Sequence, residues 1–160
     1  MAVGAAVPVE IREILEDLGA SIEIEDSFAI EPLGTIDEPY EIDGLVDVQV
    51  SLTNTGAGFV LAGRAQAVVR AECMRCLIPF ELTLDAPVEG FYVFPGREAE
   101  LPEEQDYEFI VGERVDILPA IRAALTLEIP FAPLHDHDCA GICPSCGADR
   151  NVDPCGCAPL

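Results

Sequence analysis

The residues best suited to chemistry are seven cysteines, four of which form two Cys-x-x-Cys turns, CMRC and CPSCG. The first turn holds Cys73 and Cys76, and the second holds Cys143 and Cys146. Such a turn places two sulfurs close together, and two turns supply the four thiolates that structural zinc prefers in a tetrahedral site. The pattern therefore predicts a structural Zn²⁺.

The two turns lie far apart along the chain. Sixty-six residues separate Cys76 from Cys143, whereas a compact zinc ribbon has about 15–20 between its pairs. If both turns bind the same ion, the metal joins the middle of the chain to its C-terminal tail. We therefore expect one zinc ion bound by Cys73, Cys76, Cys143 and Cys146.

Two other arrangements remain open from sequence. In one, the tail binds the metal alone, with four ligands drawn from Cys139, Cys143, Cys146, Cys155 and Cys157. In the other, two metal ions bind, or the ligands exchange among sites. Cys139, Cys155 and Cys157 are thus reserve ligands.

The two histidines could also ligate. His135 and His137 stand in the stretch HDHDC, beside Asp136 and Asp138. Because these aspartates favour a solvated acidic turn, we expect neither histidine to be a ligand.

A redox or catalytic role has weaker support. A thioredoxin-like Cys-x-x-Cys needs a following helix to lower the thiol pKa, but CMRC is followed by the strand-like LIPFELTL. Exposed thiolates that bind zinc can still be oxidised. No recognisable set of nucleophile and base stands out, so we expect a protein that is not an enzyme.

Composition places these cysteines in a reducing compartment. The chain has 160 residues, half of them hydrophobic, enough for a folded core. It has no long apolar run, and its N-terminus lacks the basic region of a signal peptide. We expect a cytoplasmic protein with no membrane association, where cysteine patterns more often bind metal than form disulfides.

The charge constrains the partner. The net charge is −22 and there is no lysine, so the chain repels phosphate backbones at long range and attracts basic molecules. Residues 61–95 are the least acidic part, with four acidic and three basic residues. Arg64, Arg70 and Arg75 of this segment are candidate contacts to RNA or to a partner.

The patterning predicts an α+β fold. Apolar residues at helical spacing predict a first helix over 8–19, and VDILPAIRAALTLEI predicts a second near 115–128, ending before Pro130. Alternating segments between them predict antiparallel strands, with a bulge at Gly63 and a break near Pro87. We expect a curved, barrel-like antiparallel sheet with two packed helices over 1–130, and a cysteine-rich tail over 131–160 folded back through zinc.

Residues 60–157 resemble the bacterial large ribosomal RNA subunit accumulation proteins, the YceD-like family. The resemblance lies in the CMRCL turn, in VDILPAIRAALTLEIPFAPLH and in GICPSCG. It implies a ribosome-biogenesis factor, needed for accumulation of the large-subunit (23S) rRNA and without known catalytic activity.

Together these features favour a factor that acts by binding. Charge makes a basic ribosomal protein or a pre-ribosomal particle the favoured partner, and direct rRNA binding is less favoured. The alternatives are a redox-sensing zinc protein and an acidic adaptor or chaperone for a basic client.

Overall fold

The computed structural model describes residues 6–157, which form a mostly β protein with one α-helix. The central sheet contains five strands in the order β2-β5-β6-β7-β8. Their bounds are Ser21–Phe28 (β2), Val46–Asn54 (β5), Phe59–Glu72 (β6), Pro79–Val93 (β7) and Glu108–Phe109 (β8). Two short pairs flank it: β1 (Pro8–Glu10) with β9 (Arg114–Asp116), and β3 (Leu33–Gly34) with β4 (Pro39–Tyr40). The helix α1 spans Leu118–Glu128, and short 3-10 turns span Arg12–Ile14 and Glu98–Glu100.

The predicted antiparallel strands form the centre of the sheet. The pairs β2–β5, β5–β6 and β6–β7 are antiparallel as predicted, whereas the short edge strand β8 pairs with β7 in parallel. The β6–β7 pair runs from Phe59↔Tyr92 to Glu72↔Pro79, so CMRC lies in the connection between the two longest strands. This connection projects the first cysteine pair from the end of the sheet.

The predicted barrel is wrong, because the sheet is open. Its edge strands β2 and β8 do not pair with each other, and β8 has only two residues. Gly63 is not a bulge either, since the β5–β6 register runs through it without interruption. A Cβ there would lie 2.2 Å from the carbonyl oxygen of Gln49, so glycine permits close approach of the two strands. Pro87 does not break β7, which continues through it opposite Arg64.

The predicted N-terminal helix is also wrong. Residues Pro8–Glu10 form β1, and only a 3-10 turn follows. The Val7 N–H donates to the Asp116 carboxylate, and the Val7 carbonyl accepts from the Ile117 N–H. These bonds satisfy the backbone in an extended form, while Ile11 and Ile14 are still buried. An apolar spacing of three and four residues therefore arises here without a helix.

The second predicted helix is confirmed as α1. The Asp116 side chain accepts a hydrogen bond from the Leu118 N–H at its start, and Ile129 before Pro130 is extended. Leu118, Ile121 and Leu125 join the buried core between α1 and the sheet. No helix among residues 6–157 is long and apolar enough to cross a membrane.

Two candidate metal centres

The two Cys-x-x-Cys turns have the same backbone hydrogen bonds. In the first, the Leu77 N–H donates to the Cys73 carbonyl at 2.8 Å, and the Cys73 N–H donates to the Ile78 carbonyl at 2.9 Å. In the second, the Gly147 N–H donates to the Cys143 carbonyl and the Cys143 N–H donates to the Ala148 carbonyl, both at 2.8 Å. The residue that follows each Cys-x-x-Cys has a left-handed backbone, with φ 61° at Leu77 and φ 74° at Gly147.

The first cluster consists of Cys73, Cys76, His135 and Cys139. Their ligand atoms all lie within 4.8 Å of one another. The Sγ atoms of Cys73 and Cys139 are 3.8 Å apart, and the Cys76 Sγ is 3.4 Å from the His135 Nδ1. A tetrahedral zinc ion with Zn–S of about 2.3 Å and Zn–N of about 2.0 Å requires separations of about 3.8 and 3.5 Å. The cluster therefore fits zinc.

Contacts between the β6–β7 connection and the tail build this first cluster. The Met74 N–H donates to the Pro133 carbonyl and the Ile142 N–H to the Arg75 carbonyl, both at 2.9 Å. The Arg75 guanidinium donates to the Cys139 carbonyl at 3.0 Å. Gly141 allows this approach, since a Cβ there would lie 2.9 Å from the Arg75 oxygen.

Apolar side chains cover much of the first cluster. Cys73, Cys76 and Cys139 form a small buried group of their own, with Phe80 and Leu134 packed against it. Phe80 meets the His135 ring edge-on, with centroids 6.5 Å apart. Water is therefore largely excluded from these sulfurs.

The second cluster lies wholly in the tail. It consists of Cys143, Cys146, Cys155 and Cys157, whose sulfurs also lie within 4.8 Å of one another. Cys143 is buried, Cys146 is exposed, and the other two are half-buried. Four thiolates at this separation also fit a tetrahedral zinc site, but one more open to solvent than the first.

The segment 149–151 connects the two clusters. The Arg150 guanidinium lies 3.7 Å from the Cys143 Sγ of the second cluster. The adjacent Asn151 amide donates to the Cys139 Sγ of the first cluster at 3.4 Å. The side-chain oxygen of the same amide, Asn151 Oδ1, accepts from the Ala140 N–H at 2.7 Å, which orients the amide toward that sulfur.

Thiol pKa values differ within each cluster. Burial raises the pKa of Cys73, but hydrogen bonds from His135 and from backbone N–H groups outweigh it and lower the pKa to about 5. Backbone N–H groups of Cys146 and Ser145 likewise lower the pKa of Cys143 to about 5. The first cysteine of each turn is therefore favoured as the thiolate, which is the form that binds metal.

The structure divides the four predicted ligands between two groups. Cys73 and Cys76 join Cys139 and His135, while Cys143 and Cys146 join Cys155 and Cys157. The geometry thus favours two separate centres over one shared by both Cys-x-x-Cys turns. The tail still folds back on the β6–β7 connection, but Cys139 and His135 make this contact.

Neither histidine was expected to be a ligand from sequence, yet His135 lies in the first cluster, whereas His137 lies in neither cluster. His137 is exposed and lies 3.5 Å from the Asp138 carboxylate, as expected of a solvated acidic turn. Pro133 and Leu134 are buried or half-buried just before His135, and an apolar residue preceding the histidine was the available signal.

The candidate contact arginines already have partners. Arg64 lies 2.8 Å from the Asp85 carboxylate, and Arg70 lies 3.7 Å from that of Asp43. Arg75 bonds the carbonyls of His137 and Cys139 in the tail. They do not form one free cationic surface.

The fold and the site define a class: a mostly β protein whose cysteine-rich tail packs on a central hairpin, with one cluster of metal-ligand residues between hairpin and tail and a second within the tail. The chain belongs to the family described as large ribosomal RNA subunit accumulation protein YceD, whose model matches residues 61–159. That region includes both clusters.

Similar curated proteins occur in mycobacteria. The uncharacterized proteins Rv2926c of Mycobacterium tuberculosis and Mb2951c of Mycobacterium bovis are each 28% identical over 155 residues, covering 95% of this chain and 74% of theirs. The uncharacterized protein ML1660 of Mycobacterium leprae is 26% identical over 110 residues, covering 68% of this chain and 51% of its own. No solved structure matches the chain significantly.

Proposed function

We propose that this protein is a cytoplasmic ribosome-biogenesis factor that supports accumulation of large-subunit (23S) rRNA by binding rather than by catalysis. The observation that carries the proposal is the family match over residues 61–159, under a family name that refers to accumulation of the large ribosomal RNA subunit. The same residues contain both cysteine clusters.

We also propose that each cluster holds a structural zinc ion. A catalytic zinc site keeps one position for water or substrate, whereas a structural site uses four protein ligands. Each cluster here offers four ligand atoms within 4.8 Å of one another. Bound zinc would cross-link the tail, and through the first cluster it would fix the tail to the end of the β6–β7 hairpin.

A basic protein is the favoured direct partner. The net charge of −22 favours a cationic molecule over a polyphosphate. Five of the eight arginines pair with carboxylates: Arg12, Arg64, Arg70, Arg97 and Arg114. The other three bond backbone carbonyls or a sulfur: Arg75, Arg122 and Arg150. An RNA ligand would have to compete for these arginines, whereas a basic ribosomal protein needs only the acidic surface.

Depletion and complementation test this function. Loss of the protein should lower the ratio of large- to small-subunit rRNA in growing cells, and the wild-type gene should restore it. Affinity capture with and without RNase then separates the two kinds of partner. A basic protein retained after RNase supports the proposal, and complete loss of ribosomal material after RNase supports direct rRNA binding instead. Unchanged rRNA levels on depletion would contradict the proposed function.

A redox-sensing role is the second candidate. The observation that favours it is the accessibility of the second cluster, where Cys146 is exposed and Cys155 and Cys157 are half-buried. Oxidation there would leave the more buried first cluster, and hence the attachment of the tail, intact.

A further inference from the structure

A groove lies at the end of the sheet opposite the CMRC connection. Its volume is about 850 Å³, and it lies among the start of β6, the end of β7, the first turns of α1 and the segment 104–108. Its apolar lining includes Val60, Phe91, Ala120 and Ala123. This is the size of a ligand site rather than of a packing defect.

The rim of this groove is acidic. It contains Glu89, Glu104, Asp106 and Glu108, and its lining includes no arginine of residues 6–157. Tyr107 follows Asp106 and precedes Glu108 in the sequence, and its side chain is exposed. Carboxylates around exposed aromatic surface favour a cationic side chain, whose stem packs on the ring while its charge meets the carboxylates.

A buried hydroxyl without a hydrogen-bond partner lies in the same place. Tyr92 lines the groove and is only 1% exposed, yet its hydroxyl has no hydrogen-bond partner among the described residues. Buried polar groups are nearly always satisfied, and leaving one unsatisfied costs about 1–3 kcal/mol. A ligand that supplied the missing partner would recover part of this free energy.

Gly90 packs closely against this hydroxyl and against α1, where a larger side chain would crowd both. A Cβ at residue 90 would lie 3.1 Å from the Tyr92 hydroxyl oxygen and 3.3 Å from the Ala120 Cβ. Burial, together with the charges of Asp116 and Glu108, raises the Tyr92 pKa. The hydroxyl therefore stays protonated, and can donate to a backbone carbonyl or accept from a guanidinium or an ammonium group.

We infer that this groove binds an extended, arginine- or lysine-bearing segment of the basic partner protein, with Tyr92 and the acidic rim as the recognition groups. The inference rests on the proposed function, because the partner it describes is the basic protein proposed there. An extended ligand is favoured because one edge of β7 is mostly unpaired. On that edge, β8 pairs only with Tyr92 and Val93 of β7. The rest of that edge has no strand neighbour among residues 6–157, and exposed edges of this kind accept added strands.

The first test is peptide binding to the full-length, metal-loaded protein. The probe is a labelled peptide that alternates arginine with valine, and its control replaces each arginine with glutamine. The groove variant carries Glu89→Gln, Asp106→Asn and Glu108→Gln. The matched control variant carries Glu13→Gln, Glu16→Gln and Glu23→Gln, three exposed carboxylates outside the groove. We expect the groove variant to lose about tenfold in affinity, as for lost close charge pairs, and the control to lose much less. Equal losses would mean unspecific attraction and would overturn the inference.

Tyr92→Phe separates recognition from folding. Removing an unsatisfied hydroxyl should leave the thermal stability of the free protein unchanged or higher, while weakening peptide binding. Weaker binding together with lower stability would instead mean that the hydroxyl supports the fold, and would count against its role in recognition.

Complementation then distinguishes failure of the groove from failure of the proposed function. If depletion lowers rRNA and the groove variant restores it fully, the groove is not the partner site while the function stands. If the groove variant fails and the control variant succeeds, both are supported. If depletion has no effect on rRNA, the proposed function fails, whatever the peptide result.

Discussion

The side-chain amide of Asn151 lies 3.4 Å from the sulfur of Cys139, so a residue next to the second cluster donates to a ligand of the first. Its neighbour Arg150 lies 3.7 Å from the Cys143 sulfur. The two clusters are therefore joined by adjacent residues of one loop. Hydrogen bonds to ligand sulfurs stabilise their thiolate form, and such outer partners commonly tune metal affinity.

Asn151→Asp should weaken the first centre selectively. The new carboxylate still accepts from the Ala140 N–H, but it replaces the donor at Cys139 with a second negative group. We expect zinc affinity of the first centre to fall about tenfold, within the range for outer-shell partners. Chelator competition measures this in a Cys155→Ser background, where only the first centre should remain. Gln105→Glu adds the same charge on an exposed side chain elsewhere and should leave the affinity unchanged, whereas equal losses would indicate a general charge effect.

Metal stoichiometry tests the division into two clusters. Protein purified without added zinc should contain roughly two equivalents, one for each four-ligand group. Cys73→Ser and His135→Gln should each remove one equivalent, Cys155→Ser should remove the other, and His137→Gln should remove none. A total of one equivalent in the wild-type protein, lost completely on mutation of either Cys73 or Cys143, would instead support the arrangement in which both Cys-x-x-Cys turns share one ion.

Sequence alone pointed to the cysteines as candidate ligands, but not to His135 and not to the grouping that the structure has. Spacing identifies Cys73 with Cys76 and Cys143 with Cys146, because each pair is fixed by a local turn. The grouping depends on contacts between segments distant in sequence, such as the Ile142 N–H on the Arg75 carbonyl, and these have no local signature. The long central strands and α1 could also be predicted, because their apolar spacing is likewise a local feature of the sequence. The N-terminal helix failed because pairing with Asp116 and Val115 overrides local periodicity.

Each Cys-x-x-Cys turn has one residue with a left-handed backbone, Leu77 in the first and Gly147 in the second, and opposite substitutions at these two positions test the turns. Gly147→Ala places a side chain at φ 74°, which costs about 1–2 kcal/mol and should lower second-centre affinity about tenfold. Gly156→Ala, at a tail glycine with open space and no positive φ, is the control and should change little. Leu77 already has φ 61°, so Leu77→Gly should relieve a similar strain and not weaken the first centre. Weakening by Leu77→Gly would show instead that the leucine side chain contributes to that turn.

Zinc removal should loosen the tail and leave the sheet folded. The buried residues of the main core run from Ile11 to Leu125, and none of residues 131–157 is among them, while the buried first-cluster cysteines form a separate group. Small zinc fingers unfold without metal because they have no other core, which is not the case here. Circular dichroism of chelated protein should retain its strand signal, with new protease cleavage confined to residues 131–157 and the β6–β7 connection. Cooperative loss of the whole strand signal would contradict this expectation.

Hydrogen peroxide should release zinc from the second centre first. Its Cys146 is exposed, whereas Cys73, Cys76 and Cys139 are at most 5% exposed, and oxidation of thiolates follows their accessibility. In this reaction two thiolates give up two electrons and form a disulfide. Hydrogen peroxide takes up these two electrons and two protons from solvent and becomes two water molecules. The metal thereby loses two of its ligands. A zinc-sensitive dye follows the release in two variants that each keep one centre. Release should be fast from Cys73→Ser, which keeps only the second centre, and slow from Cys155→Ser, which keeps only the first. The reverse order would exclude the second cluster as a redox sensor.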